Sequence, residues 1–468
     1  MGRKKTYLLI EHLEIIDIAA EGNSIGRHDG MVVFVPQCVP GDVVDVRVVR
    51  KRKNFMEGVV TNYHRYSDTR TEPLCEHFGV CGGCKWQHLP YSEQLKFKQK
   101  QVTDNLERIG KIEIQQLLPI IPSDDEVFYR NKLEYTFSEK RWLTDEEIKS
   151  KADIEDRFAL GFHIPGRFDR VLDIRKCYLQ DDLSNHIRLA VRAFAVENGY
   201  RFFDQVKQEG FLRNMIIRNT TSGEWMVLIS FYEHKESEIK ALLGFLAGAF
   251  PQITSLFYVI NPKGNDTISD LDTHLFKGRE YITEKFENLS FKIGPKSFFQ
   301  TNTRQALKLY AVTREFASLT GNETVYDLYT GTGTIALFVA AFCKKVIGIE
   351  YVPESIEDAR LNAAGNQIGN ASFFSGDIKD VLSDAFVEVH GMPDVIIIDP
   401  PRAGMHPDVV EQVMKISPER VVYVSCNPAT QARDIHLMSE KYDLKKVQPV
   451  DMFPHTHHVE NVVLMVKK

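Results

Sequence analysis

No apolar run in this 468-residue chain approaches the length of a bilayer span, which excludes a helical membrane protein. The N-terminal stretch MGRKKTYLLIEHLEI is positively charged but has no continuous apolar core before its first acidic residues. A secretory signal is therefore excluded and the cytoplasm is the expected compartment. Gly2 and Thr6 satisfy the short myristoylation pattern letter by letter, but that pattern is weak and coincidence is the better reading. Internal repeats and low-complexity tracts are missing. With 43% hydrophobic and 26% charged residues, bulk disorder is excluded as well. Cysteine is scarce: seven residues, an odd number, with three inside ten positions, which a disulfide framework explains poorly. The net charge of -6 argues against indiscriminate nucleic-acid binding.

The length predicts about three domains. From Leu13 to Val60, short apolar or alternating runs (LEIIDIA, GMVVFVP, DVVDVRVVR, MEGVV) broken by Gly and Pro predict a small oligonucleotide-binding-like β-barrel over residues 1–63. Its basic stretch Arg47, Arg50, Lys51, Arg52 and Lys53, followed by Phe55, suits a phosphate backbone. A solvated strand end accounts for the same residues equally well. Residues 64–290 mix strands (NMIIRNT, EWMVLISFY, SLFYVIN) with helices such as that around Glu236 to Phe250, an α+β region. The polar segment Ser92 to Gly110 has apolar residues at helical spacing, and its Lys and Gln content makes a solvent-facing helix the expectation.

From about Phe291 to the end at 468 the pattern becomes regular. TVYDLYTGTGTIALFVAAF, KKVIGIE, DVIIIDPP and RVVYVSC read as strands of a doubly wound parallel sheet, whose carboxyl ends carry Asp327, Glu350, Asp399 and Cys426. GTGTIA (Gly331 to Ala336) opens a helix after a strand and Glu350 ends the next one, which meets a dinucleotide fingerprint. Asp327 disfavours a pyrophosphate at that point, whereas the ammonium and sulfonium of S-adenosylmethionine are attracted to a carboxylate. Glu350 suits the ribose of either ligand. Asp377 serves equally as an adenine partner or as a plain loop aspartate.

DPP after an apolar strand is shared by several methyltransferases. Nitrogen-methylating enzymes typically follow it with an aromatic residue, and cytosine-C5 RNA enzymes with a second cysteine; here Arg402 follows. Uracil C5 is too weakly nucleophilic to accept a methyl group directly, but a thiolate added at C6 generates an enolate that activates it. Cys426, in the polar turn SCNP after a strand, has the place of that nucleophile, and Glu460 that of the base which then removes the C5 proton. His455, His457 and His458 lack the spaced partner motif of a zinc site. CEHFGVCGGC places Cys75, Cys81 and Cys84 together with Cys177 as a remote fourth thiolate. Four sulfurs suit zinc or an iron-sulfur cluster, and three close plus one distant suits a cubane slightly better. Cys38 and Cys343 sit in apolar surroundings and read as buried thiols.

The motifs KSFFQTN, DLYTGTG, DPPRAG, VSCNPAT and FPHTHHVE resemble those of the RNA uracil-C5 methyltransferase family over nearly the whole chain. The closest likeness is to bacterial 23S ribosomal RNA enzymes with a TRAM barrel and a 4Fe-4S cluster. The resemblance implies a class I, Rossmann-like α/β methyltransferase domain behind the barrel and a central iron-sulfur domain. It implies Cys426 as nucleophile, Glu460 as base, and Gln300, Tyr329, Glu350 and Asp399 at the S-adenosylmethionine site, with Thr334 and Asp377 beside them. Phe298 matches an aromatic stacking on the target base, and Cys75, Cys81, Cys84 and Cys177 match the cluster ligands. It also assigns Ser92 to about Ile121 to the catalytic domain. Tyr329-Thr330 departs from the Phe-Cys of many relatives. The implied partner is structured RNA, 23S ribosomal RNA first and transfer RNA as the alternative, met by a monomer. A rival reading is an RNA-binding protein with a vestigial methyltransferase fold; intact Cys426 and Glu460 count against it.

Overall fold

A computed structural model describes residues 8–150 and 156–468; Gly2 and Thr6 lie outside them. No helix among the described residues is long and apolar enough to cross a membrane.

Strict alternation closes the N-terminal barrel. In Val43–Lys51, Val44, Val46 and Val48 point inward while Arg47, Val49 and Arg50 are exposed, the period of two that a half-buried strand requires. The strands run around the barrel as Leu9–Ile18, Ser24–His28, Met31–Val35, Phe55–Arg65 and Val43–Lys51, with Val43–Lys51 pairing back to the first. Ile10, Leu13, Ile15, Val33, Val35 and Met56 fill it together with Cys38, a buried thiol as expected. The basic run lies at one open end, with Lys51, Arg52 and Lys53 exposed and Arg50 paired to Glu57 at 3.2 Å.

The central region is a seven-stranded sheet in the order Thr273–Gly278, Ile253–Ile260, Trp225–Phe231, Leu212–Asn219, Lys132–Ser138, Ala159–Ile164, Arg167–Asp173. Helices Asp182–Glu197 and Glu236–Ala249 pack on it, burying Ile187, Val191, Leu242 and Leu246.

The C-terminal sheet runs Ala371–Ser375, Lys345–Glu350, Thr324–Leu328, Val395–Ile398, Arg420–Ser425, Glu460–Lys467, Tyr442–Val450. Six strands run in one direction, and Glu460–Lys467 is antiparallel to both of its neighbours, Arg420–Ser425 and Tyr442–Val450. Strand order reverses between Thr324–Leu328 and Val395–Ile398, which opens a crevice at their carboxyl ends, the usual ligand site of such sheets. The hairpin Ile282–Phe286 and Leu289–Ile293 contributes Ile282, Phe286, Phe291 and Ile293 to this domain's core. The expected boundary at 290/291 falls inside that hairpin.

Helix Tyr91–Arg108 departs from the solvent-facing expectation. It lies on the catalytic domain, where Val102 and Leu106 share a core with Ala432, Ile435 and Met438. Three of its polar residues, Gln94, Lys98 and Asn105, are buried too, while Ser92, Lys96, Lys100, Glu107 and Arg108 face solvent. Lys98 is fully enclosed and its Nζ donates to Asp451 Oδ1 at 2.5 Å and to the Phe453 carbonyl at 3.0 Å. Burial alone would drive the ammonium to shed its proton, and Asp451 opposes this. Breaking one side of such a pair leaves an uncompensated buried charge. Lys98→Met should therefore lower stability by about 3–5 kcal/mol, whereas Lys98→Met with Asp451→Leu should recover most of the loss. A urea titration in which the double variant is no more stable than the single one would contradict this.

Candidate active site

The nucleophile expected from sequence and its base are brought together by one strand pairing. Arg420–Ser425 runs antiparallel to Glu460–Lys467 with Ser425 opposite Asn461, so Cys426, the next residue, comes opposite Glu460. Directly opposed residues share a sheet face, which puts thiol and carboxyl side by side at the carboxyl edge. Cys426 also lies one residue before Asn427, which caps helix Pro428–Met438 by accepting from the Ala429 N–H at 3.1 Å. The positive end of that helix favours the thiolate.

Electrostatics at the edge are finely opposed. Burial pushes the Cys426 thiol up to about 11, and the carboxylates of Glu460 and Asp399 push it the same way while Arg402 opposes them. Burial raises Glu460 to about 8, with Asp399 adding to the effect and Arg402 resisting it. Asp399, which follows Val395–Ile398, is raised to about 7 by burial and by Asp327. A carboxylate held near neutrality is a stronger base than an exposed one, which suits proton abstraction from carbon. Arg402, which sequence reading placed only by elimination, is the one cation named in opposition to both shifts. Its carbonyl accepts from Asn427 Nδ2 at 3.0 Å and Thr430 Oγ1 at 3.2 Å, tying DPPRAG to SCNPAT, and its guanidinium lies 3.3 Å from the His458 ring. A cation directly after DPP, at the edge that holds the thiol, was the available sequence signal.

The glycine loop sits at the mouth of the same crevice. Gly331 and Gly333 adopt φ of +55° and +78°, and nothing lies within 4 Å of where a Gly331 Cβ would be, whereas a Gly333 Cβ would strike Ala359 and Phe373. Asp327 is wholly buried beneath the loop, where Oδ2 accepts from the Thr330 hydroxyl at 2.5 Å and the Ala336 N–H at 3.0 Å. Burial raises it to about 7, and its Oδ1 has no partner. Its principal contact is thus with the loop. Glu350 accepts from the Gly331 N–H at 3.2 Å and the Val352 N–H at 3.0 Å. Tyr329 takes φ +65° at the strand end, and burial raises its hydroxyl to about 12. The Thr334 hydroxyl lies 3.3 Å from that of Tyr310, at the start of helix Thr334–Ala340. Asp377 caps the short helix Ile378–Val381 and pairs with Lys379 at 3.4 Å, so its carboxylate already has protein partners.

The KSFFQTN segment is held by the central domain, which sequence reading did not anticipate. Asn131 Nδ2 donates to the Gln300 carbonyl at 2.8 Å, the Asn131 N–H to the Thr301 carbonyl at 2.8 Å, and Arg218 Nη2 to the Ser297 carbonyl at 2.6 Å. Phe298 projects from this segment with 66% of its surface exposed, although Phe299 beside it is buried. A phenyl ring left so open has a free face for stacking.

More than 90 residues separate Cys177 from Cys84, yet the four cysteines are near enough to interact: Cys177 and Cys75 raise Cys81, and Cys177, Cys81 and Cys75 raise Cys84. Burial is the leading cause in each, taking Cys81 to about 11 and Cys84 to about 12. None is in a disulfide. Asn185 clamps Cys177 by accepting its N–H at 2.8 Å and donating to its carbonyl at 3.0 Å. His455, His457 and His458 are half-buried, and partial burial lowers them to about 4, 3 and 4.

Comparison with known proteins gives this geometry a family. A model described as tRNA (uracil-5-)-methyltransferase matches residues 270–468, and a TRAM domain model matches residues 8–61. An uncharacterized RNA methyltransferase of Bacteroides thetaiotaomicron is 58% identical over 451 residues, covering 96% of this chain and 99% of its own. One from Porphyromonas gingivalis is 56% identical and covers 97% and 99%. The crystal structure of Pyrococcus abyssi tRNA (uracil-54, C5)-methyltransferase in complex with S-adenosyl-L-homocysteine superposes with a TM-score of 0.74 at 29% identity, covering 97% of this chain and 100% of that one. The chain belongs to the S-adenosylmethionine-dependent RNA uracil-C5 methyltransferase family and carries a TRAM domain at its N-terminal end.

Proposed function

We propose that this protein methylates C5 of a uridine in 23S ribosomal RNA through a covalent adduct at Cys426, with Glu460 as the base. The observation that carries the reading is the opposition of Cys426 and Glu460 across the Ser425–Asn461 rung, with Arg402 favouring the ionised form of both. S-adenosylmethionine supplies a methyl group made electrophilic by its sulfonium. Gln300, Tyr329, Glu350 and Asp399 would hold it, with Thr334 and Asp377 at the margin. The fit rests on the open space above Gly331 and on the desolvated Asp399, whose carboxylate accepts no hydrogen bond among the described residues.

The remaining steps belong to the protein. Cys426 Sγ, as the thiolate, bonds to uracil C6, which loads electron density onto C5, and C5 would take the methyl carbon as that carbon's bond to the sulfonium sulfur breaks and the electron pair stays on sulfur. Glu460 then takes the C5 proton, the electron pair re-forms the C5–C6 double bond, and the C6–S bond breaks. Phe298, with its ring exposed, would stack on the extruded base. The exposed Lys51, Arg52 and Lys53 of the barrel suit phosphate contacts.

The RNA assignment rests on the combination of barrel and four-cysteine set, which resembles the bacterial ribosomal enzymes. Transfer RNA is the second reading, because a transfer-RNA enzyme superposes over 97% of this chain. Mapping 5-methyluridine by mass spectrometry in cells with and without the gene should show one or more ribosomal positions lost and transfer RNA unchanged. Loss confined to transfer RNA would replace the first reading with the second, and no loss in either would overturn both.

For Cys75, Cys81, Cys84 and Cys177 we propose a 4Fe-4S cluster. Among the described residues, the one His, Cys, Asp or Glu trio with ligand atoms all within 4.8 Å is His12, Asp45 and His64. No three of the four sulfurs therefore lie within 4.8 Å of one another. Three cysteines close in sequence and one remote suit a cubane, in which each thiolate takes a separate iron. Protein purified without oxygen should carry about four irons and lose them in Cys177→Ala. Stoichiometric zinc without iron would refute the cluster.

A further inference from the structure

The Glu460 strand is preceded by a ten-residue segment, Asp451 to Glu460, that has no regular structure until its last residue, yet nearly every backbone group in its first half is gripped from outside. One face of helix Tyr91–Arg108 supplies much of the grip. Residues 94, 98 and 101 follow one another at i, i+4 and i+7, the spacing of a single helical face. Lys98 holds Asp451 and the Phe453 carbonyl. The Gln101 amide faces the His457 carbonyl at 3.3 Å and the Ala20 carbonyl, at the edge of the barrel, at 3.1 Å, and its nitrogen is assigned to that side because both neighbours are acceptors. Gln94, with no exposed surface, accepts the His455 N–H at 2.8 Å and donates to the carbonyls of Leu89 at 2.8 Å and Trp86 at 3.1 Å.

His455 is the point where these constraints meet. Its carbonyl accepts two amides, Lys85 N–H at 2.8 Å and Trp86 N–H at 3.0 Å, from the residues directly after Cys84. Its φ is +65°, a region that a histidine enters only when its surroundings impose it. Gln94 therefore ties both partners of the clamp, the His455 amide on one side and the Trp86 carbonyl on the other. The segment meanwhile receives Asn302 Nδ2 at the Met452 carbonyl and the Tyr129 hydroxyl at the Pro454 carbonyl, at 2.9 and 3.0 Å. Barrel, cysteine loop, central sheet and catalytic domain thus all converge within a few residues of Glu460.

We infer that Gln94 is a positioning residue for the proton-abstraction step. The Ser425–Asn461 rung fixes the register of the Glu460 strand, and through the left-handed turn at His455 Gln94 and the cysteine-loop amides hold the chain that enters it, while Cys426, carried by Arg420–Ser425 and helix Pro428–Met438, has no hydrogen bond to the clamp among the described residues. The inference rests on the reading of Glu460 as base. It deepens that reading by making the two halves of the covalent cycle separable: disturbing the clamp leaves attack and methyl transfer intact and impairs release. A clamp that served stability alone would lower both halves together.

The test uses full-length protein, with 23S ribosomal and transfer RNA transcripts as parallel probes, tritiated at C5 of uridine. With methyl-labelled S-adenosylmethionine, adduct is read on denaturing gels, and tritium release reports loss of the C5 proton. Gln94→Met keeps volume and helix propensity while removing the hydrogen bonds. It should form methylated adduct near the parent rate but release tritium about 10- to 100-fold more slowly, the cost of misplacing a reacting group by about 1 Å. Gln101→Leu, at the less buried rim of the same face, should show the same pattern more weakly and decides the matter if Gln94→Met does not fold by circular dichroism. Parallel loss of adduct and release, or normal release, in a folded variant overturns the inference provided Glu460→Gln accumulates adduct. Should Glu460→Gln accumulate none, the assignment of the base fails and this inference fails with it.

Discussion

Ser425 pairs with Asn461 across two antiparallel strands, and the proposed chemistry depends on that rung. The five parallel strands of a doubly wound sheet deliver their functional residues in a row along one edge, each separated from the next by a strand spacing. A nucleophile and a base that must reach adjacent ring carbons need to be closer than that row allows unless their strands are direct neighbours. The C-terminal strand Glu460–Lys467 satisfies this by returning antiparallel beside Arg420–Ser425, so that it begins where its neighbour ends. Slipping the register by one residue would turn Glu460 to the opposite face.

Burial and charge then set the tuning. Asp399, Glu460 and Cys426 share one desolvated edge, and each carboxylate makes the thiol harder to ionise. Arg402 and the helix end after Asn427 act in the other direction. The balance leaves a thiol that resists idle ionisation in the resting protein and a carboxyl near neutrality. A bound cation at the cofactor position would lower all three, so the edge is electrostatically ready for a ligand of positive charge.

Much of the catalytic domain was legible in the sequence because parallel strands buried on both faces read as unbroken apolar runs, and VVYVSC, DVIIIDPP and KKVIGIE are such runs. Motif residues at their ends fell where the sheet places them. Helix Tyr91–Arg108 was misread for the converse reason: Gln94, Lys98 and Asn105 are side chains that normally mark a solvated face, and here they are buried against backbone carbonyls and Asp451. No local pattern distinguishes a polar residue satisfied by water from one satisfied by a distant loop. The hairpin Ile282–Ile293 was divided between domains because the partners of Phe286 and Phe291 become visible only in the packing. Strand Ser24–His28 is too short and polar to announce itself. Asn131 and Arg218, which secure the Gln300 segment, carry no signal in sequence at all, since their role is fixed by contacts 169 and 79 residues away.

The central claim, that one thiol and one carboxylate share a covalent cycle on uridine, is tested most directly by trapping. RNA carrying 5-fluorouridine accepts the thiol and the methyl group but has no C5 proton to give up, so the cycle stops at the adduct. Peptide mass spectrometry of the trapped complex should find the methylated fluorouridine bonded to Cys426. An adduct on any other cysteine, or methyl transfer to the RNA without a covalent complex, would contradict the account.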